Sequence, residues 1–316
     1  MGIIGAGIAG EVAAFFLLKD AHRVCLYDPG ERRAQASWNS SGVVGSFGAR
    51  AGFGAHGNLL SEALPCALAF YEGFDHSSIL KTPLHTHGSP QDEKFLRRFS
   101  HLRPSSFSFP GLQSFWETGL LVDMRAFMGE IKCRNSLSPL CTRVKEYITS
   151  WEQVDDRHDA VLYAPGALRH LMALDDLASR PRQGSLLVWE GDFFRQSFHH
   201  DFYGLGSISY RKEHGKLMVG AQNGAGMTSL GHLGKALDLY DRLAPLCPEG
   251  PLPPFAKAKM ISGVRELGVG RRAALNDLGR GLYSMSGLYK NGLTLAPFLA
   301  KKLVDSINIK RKGQGP

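Results

Sequence analysis

The segment Gly2-Ile3-Ile4-Gly5-Ala6-Gly7-Ile8-Ala9-Gly10, an apolar helical pattern, and then Arg23-Val24-Cys25-Leu26-Tyr27-Asp28 together constrain the fold more than any other part of the chain. The apolar residues before Gly5 read as a buried parallel strand. Gly5 permits the tight turn, Gly7 lets the backbone approach a pyrophosphate, and Gly10 lets the next helix lie close against the sheet. That helix, expected from about Ile8 to Lys19, presents its free N–H groups and positive dipole end to the phosphates. Asp28 ends a second strand 18 residues past Gly10, where a carboxylate accepts a hydrogen bond from an adenosine ribose hydroxyl. A structural Gly-rich turn is the alternative. Strand, glycines, helix, strand and acid in this order favour a dinucleotide site.

At 316 residues the chain is long enough for two lobes around large cores. Its composition, 43% hydrophobic and 21% charged, is that of an ordinary globular protein rather than a disordered or fibrous one. No apolar run reaches the roughly 20 residues of a membrane span, so no membrane partner is expected. The first residues already read as strand, with no basic n-region or cleavage site, so no signal peptide is expected and a cytoplasmic location is the default. The five cysteines are odd in number and lack CxxC spacing, which points to reduced thiols rather than a disulfide framework or zinc site. The net charge of +8 suits an anionic substrate, a pyrophosphate cofactor or an RNA partner, or is simply a solvated basic surface, which is the favoured reading over RNA. The twelve histidines show no metal-ligand spacing; His199-His200 reads as a loop pair.

Residues 29–58 are rich in Gly, Ser and Ala, which permits a backbone to lie flat against a bulky planar ligand. The spacing predicts a helix over 57–74, bent at Pro65, an irregular stretch over 76–115, a helix capped by Asp123 through Lys132, and strands at Arg143–Thr149 and Asp159–Tyr163. Ser185–Trp189, Gly206–Arg211 and Lys216–Gly220 read as short antiparallel strands, the last two a hairpin. A helix at about Ser229–Leu243, a strand near Lys259–Arg265, a strand near Gly281–Gly287 and a terminal helix with Pro297 in its first turn complete the pattern.

The closing Gly287-Leu288-Tyr289-Lys290-Asn291-Gly292-Leu293-Thr294-Leu295-Ala296-Pro297, the opening motif, Ala36-Ser37-Trp38-Asn39-Ser40-Ser41-Gly42, Val144, Ala164-Pro165-Gly166, Gly215–Ala221 and Gly263-Val264-Arg265 form an ordered set. With it the chain resembles the D-amino-acid oxidase superfamily, which includes glycine oxidase, sarcosine oxidase and the oxidase half of the bifunctional tRNA wobble-uridine enzyme. The resemblance implies an α/β chain with a Rossmann-like FAD-binding domain on a parallel sheet and a smaller, shortened antiparallel-sheet substrate domain. The expected division is a discontinuous FAD domain of 1–75, 116–180 and 256–316, with a substrate or cap domain of 76–115 and 181–255.

The resemblance also implies noncovalent FAD, held by Gly5, Gly7, Ile8, Ala9, Gly10, Asp28, Ser40, Ser41, Gly42, Val43, Val144, Ala164, Gly166, Gly287, Tyr289, Asn291, Gly292, Leu293 and Thr294. Val144 would meet the adenine through its backbone, and the terminal helix would aim its N-terminus at the flavin's pyrimidine edge. Arg265 would clamp a substrate carboxylate; its alternative is a salt bridge to Glu266. Lys290 would add charge for the carboxylate, assist oxygen, or face solvent, and Tyr210 and Tyr203 would hydrogen-bond substrate. The segment Val269–Leu275 departs from the family pattern. The implied activity is oxidation of the C–N bond of a small amino acid or N-substituted glycine, with a small amino acid or amine as substrate. Two alternatives stay open: oxidation of a carboxymethylaminomethyl group on tRNA, and a noncatalytic FAD-holding subunit or maturation factor that works with a partner protein.

Overall fold

Apolar side chains on both faces make Gly2–Ile4 (β1) a central strand, and the helix Ile8–Lys19 (α1) returns the chain to a parallel neighbour, Val24–Tyr27 (β2). The computed structural model describes residues 1–30, 35–52, 54–166, 179–225, 233–268 and 273–313. After β2 come Val43–Val44 (β3), Gly54–Tyr71 (α2), Ile79–Gly88 (β4), Glu93–Phe99 (α3), Arg103–Pro104 (β5), Gln113–Val122 (β6), Met124–Leu137 (α4), Cys141–Val144 (β7) and Val161–Tyr163 (β8). Ser179–Glu190 (β9), Phe198–Phe202 (β10), Gly206–Arg211 (β11), Lys216–Ala225 (β12), Leu233–Leu243 (α5), Lys259–Gly268 (β13), Ala274–Gly279 (β14), Leu282–Ser286 (β15) and Gly292–Gly313 (α6) follow.

Two sheets organise these elements. The first has the order β14-β15-β8-β1-β2-β7, parallel except for the antiparallel edge strand β14. Helices α1, α2, α4 and α6 contribute to the main core on this sheet, with Val12, Leu17, Leu60, Phe127 and Leu303 fully buried. Glu11, 1% exposed, holds Arg143 at 2.7 Å and accepts from Asn135, so β7 and α4 are pinned to α1 by a satisfied buried charge.

The second sheet runs β13-β9-β12-β11-β10-β4-β6-β3, with β5 on β6. Its pairs are antiparallel except β10 with β4. One face, with Leu187, Trp189, Phe198, Ile208, Leu217 and Val219, packs on α5. It has nine described strands against six in the first sheet.

Several expectations change. The stretch 76–115, read as irregular because of its prolines, contains the ten-residue β4 and helix α3. Pro83 is tolerated because pairing of β4 with β10 starts one residue later, at Leu84, so its missing N–H interrupts no ladder on that side. Strands β3, β6 and β13, assigned from sequence to the FAD domain, all lie in the second sheet. Strand β7 ends at Val144 rather than Thr149, and the expected helix start at Ser229 lies outside the described residues.

Pro297 stands inside α6, not in its first turn. A proline there removes the donor for the carbonyl four residues earlier, that of Leu293. The Tyr71 hydroxyl takes over, donating to the Leu293 carbonyl at 3.1 Å. A buried tyrosine from α2 thereby satisfies the bond that the proline deletes.

Candidate functional site

The opening glycines have the backbone that their roles require. Gly5 has φ +101°, and a Cβ there would sit 2.5 Å from the Ala164 carbonyl oxygen. A Cβ on Gly10 would collide with the Gly5 carbonyl oxygen. Gly7 differs: the sole atom within contact range of an added Cβ is Ser37 Oγ, at 3.2 Å. The backbone at Gly7 is therefore approachable, and α1 starts on it without a side-chain cap. Ile8 N–H donates to Ser37 Oγ at 2.9 Å, which ties the small-residue turn at 36–39 to the N-terminus of α1.

Asp28 is held by two backbone donors, Ala6 N–H at 2.9 Å to Oδ2 and Gly30 N–H at 2.8 Å to Oδ1. Its N–H donates to the Val144 carbonyl at 3.1 Å, which puts the ends of β2 and β7 side by side. Ala164 N–H donates to the Ile4 carbonyl, and Gly166 takes φ +61° at the exit of β8. Gly5, Gly7, Ile8, Asp28, Val144, Ala164 and Gly166 thus meet along the carboxyl ends of adjacent strands, where open α/β sheets bind ligands. Ala9 and Gly10 form the first turn of α1 behind them.

The second group of expected residues lies on the seam between the sheets. Gly42 has φ +73°, accepts from Val122 N–H at 2.7 Å and leads into buried Val43; Ser40 Oγ accepts from Gly42 N–H, and Ser41 is half-buried beside it. Across the seam Gly287 (φ +69°) donates to the buried Glu266 carboxylate at 3.3 Å. Tyr289 takes the left-handed backbone at φ +44°, and Asn291 contacts His56 at 3.1 Å. Gly292, Leu293 and Thr294 open α6, and the Thr294 hydroxyl donates to the Gly45 carbonyl at 3.4 Å. A non-glycine residue at positive φ is uncommon and is held only where surroundings over-determine it. Phe47 is another, at φ +51°.

Arg265 lies on the face of the second sheet opposite to α5. The register carries that face across the strands: Arg265 opposite Arg182 and Gly263 opposite Gly184, then Met218, Ser209 and Ser207, then His199 and Asp201, then Leu84 and Thr86, and Glu117. A Cβ on Gly263 would meet Ala36 and Asn39, so this face abuts the 36–39 turn. The Arg265 guanidinium lies 5.3 Å from the Tyr289 ring centroid and across Gly184, where a Cβ would collide with it. It forms no ion pair among the described residues, and burial pulls its pKa down. Glu266, next along the strand, points to the opposite face, which removes the salt-bridge alternative.

Lys290 is exposed, with Nζ 5.9 Å from the same Tyr289 ring. Tyr210 is not at the site. Its neighbours in β11 alternate, so it faces the α5 side, fully buried, with its hydroxyl bonded to Phe193 N–H and Asp192. Tyr203 packs on Phe95 at the sheet margin. Of Val269–Leu275, residues 269–272 lie outside the described residues. His199 and His200 are strand residues, not a loop pair, and face opposite sides of β10.

Three charged residues were not singled out from sequence. Glu117 accepts from Ser46 N–H at 3.2 Å and Phe47 N–H at 3.0 Å, and burial raises its pKa. Arg98 Nε donates to the Phe47 carbonyl at 2.7 Å, so acid and base grip one strained peptide segment from both sides. Asp201 stands on the Arg265 face, with Lys290 and Arg98 acting on it through space. Only the strand register could have placed Glu117 and Asp201, and β4 with its proline hid it; Arg98 reaches the same segment from α3.

Comparison of the sequence with protein-family models and with curated proteins finds no match. Comparison of the structure does. Glycine oxidase from Geobacillus kaustophilus superposes with a TM-score of 0.80 at 17% identity, covering 96% of this chain and 93% of that one. Iminodiacetate oxidase from Chelativorans sp. BNC1 gives 0.74 at 19% identity, over 96% and 93%. Amadoriase I from Aspergillus fumigatus gives 0.73 at 14%, over 97% and 86%. The chain spans most of the length of each of these structures. The chain has the fold of the D-amino-acid oxidase superfamily, as its sequence resemblance implied.

Proposed function

We propose that this protein is an FAD-dependent oxidoreductase that oxidises the C–N bond of a small amino acid or N-substituted glycine. The observation that carries the reading is Arg265: a guanidinium drawn off water, without an ion-pair partner among the described residues, on the sheet face that abuts the small-residue turn at 36–39. Such a fork pairs bidentately with a carboxylate. The open backbone at Gly7, the cradle of Asp28 and the small-residue turn at 36–43 fit a noncovalently held FAD. The names of the structural neighbours, glycine oxidase, iminodiacetate oxidase and Amadoriase I, favour the same class of reaction.

FAD, when bound, supplies the two-electron acceptor for the substrate's α-C–H bond, with the resulting imine hydrolysed by water and the electrons passed to oxygen or another acceptor. The chain's own residues bind and orient. Arg265 fixes the carboxylate and thereby the α-carbon. Tyr289 walls the guanidinium, and Glu117 with Arg98 hold the Phe47 backbone from both sides. The first N–H groups of α6 lack intrahelical acceptors and favour negative charge near Gly292–Thr294. Lys290 adds positive charge beside Tyr289. A substrate amine bound in its neutral form needs no side-chain base.

The test is an anaerobic titration of the flavin-loaded protein with glycine, sarcosine, and D- and L-amino acids. Bleaching by one of them is expected, with Arg265→Ala raising KM at least 100-fold while flavin stays bound. Retained flavin with unchanged KM in that variant refutes the assignment. A flavin that no free amine reduces would turn the reading toward a macromolecular substrate or a subunit role.

A further inference from the structure

Asp201 is a carboxylate that the reading above leaves unused. It lies on β10, paired with Ser207 and Thr86, on the same face as Arg265. Its carboxylate accepts no hydrogen bond from the described residues; Lys290 and Arg98 act on it through space. A half-buried carboxylate of this kind keeps lone pairs open to water or to a donor on a ligand. Glu117, another acid on this face, has both oxygens occupied by backbone donors, and Glu190 stands exposed at the far end of β9 opposite Lys216. His199 is likewise committed, to Ser209 Oγ at 2.7 Å. Asp201 is thus the half-buried acid on this face with acceptor capacity to spare.

The spacing between Asp201 and Arg265 sets what fits. Strand order from β13 to β10 is β13-β9-β12-β11-β10. The Arg265 guanidinium already reaches over Gly184 of β9, and glycine at that position is what makes room for it. Three strand spacings across and two residues along the strand, since Asp201 is in register with Leu186, then separate guanidinium from Asp201 by about 15 Å. A hydrogen bond of about 3 Å at each end leaves roughly 9 Å for the ligand. An α-amino acid with a four-carbon side chain ending in an amine has that span. A charge-assisted N⁺–H···O⁻ bond is roughly twice as strong as a neutral one, so an ammonium suits Asp201 better than a hydroxyl does.

We propose that Asp201 is a specificity residue, and that the site takes an amino acid or N-substituted glycine whose far end carries a cationic amine, with the carboxylate on Arg265 and the distal ammonium on Asp201. The proposal rests on Arg265 as the carboxylate clamp.

The experiment uses flavin-loaded protein, titrated calorimetrically and by anaerobic flavin absorbance with lysine, 6-hydroxynorleucine and norleucine, each as D and L forms, with glycine as the minimal probe. Parent protein is compared with D201N and R265A, with the flavin spectrum and circular dichroism confirming that each variant is folded. Lysine is expected to bind at least 10-fold more tightly than norleucine, with hydroxynorleucine between them. In D201N the ratio falls toward one, and in R265A all three are lost. Equal binding of lysine and norleucine by the parent, or a preference that survives in D201N, overturns the proposal. If glycine bleaches the flavin while that ratio is one, the Asp201 assignment fails and the function stands. If no carboxylate binds or bleaches the flavin, both fail together.

Discussion

Tyr71 and Pro297 offer a test of how the candidate site is braced. Leu293 sits at the start of α6, 6% exposed, and its carbonyl has lost its intrahelical donor to Pro297. Tyr71, 0% exposed, donates to it at 3.1 Å. Tyr71→Phe leaves that buried carbonyl without a donor, which destabilises by about 2 kcal/mol, within the range for an unsatisfied buried acceptor. In a Pro297→Ala background the restored amide at 297 donates to the same carbonyl. There Tyr71→Phe is expected to cost about 0.5 kcal/mol, leaving a coupling of about 1.5 kcal/mol. Urea unfolding of the four proteins, flavin-loading held equal, measures the cycle. An equal cost of Tyr71→Phe in both backgrounds would refute the idea that the tyrosine replaces the proline's missing bond.

Other perturbations have equally definite expectations. Gly10→Ala forces a Cβ into the Gly5 carbonyl, so a loss of about 3 kcal/mol and of flavin retention is expected by unfolding and absorbance; normal retention would contradict the packing. Asp28→Ala removes the acceptor of Ala6 and Gly30 N–H, and flavin affinity measured by calorimetry should fall about 10- to 100-fold. Acid should destabilise the second sheet. Burial, with neighbouring imidazoles, pushes His87 and His199 down to about 3 and His200 to about 2. They stay neutral in the fold while the unfolded chain takes up protons near pH 6.5, so stability falls as pH drops below that value. Three such groups amount to about 4 kcal/mol between pH 7.5 and 5.5. His199→Gln should flatten the urea-midpoint profile by about a third, and a profile that is flat in the parent would dismiss the explanation.

The βαβ unit of the parallel sheet was legible because its determinants are local. Gly5, Gly7, Gly10 and Asp28 lie within one strand–helix–strand unit, and backbone sterics at each glycine follow from its place in the motif. Asp123 capping α4 through Arg125 and Ala126 N–H was legible for the same reason. Pro83 misled, because propensity penalises a proline in a strand without knowing where the neighbouring strand begins. Pro297 misled similarly, since a tyrosine from another helix repairs the break.

By itself, then, the sequence determined the βαβ unit, the open backbone at Gly7, the family resemblance and Arg265 as a carboxylate-binding candidate. Tertiary structure alone decided which side chains share the face with Arg265. Alternation in a strand leaves two choices of face, and pairing between distant segments selects one. That selection sent Tyr210 into the α5 core and brought Asp201 and Glu117 to the Arg265 face, where Arg98 of α3 also reaches Phe47. Their sequence positions carry no sign of this, because the contacts join strands far apart in the chain.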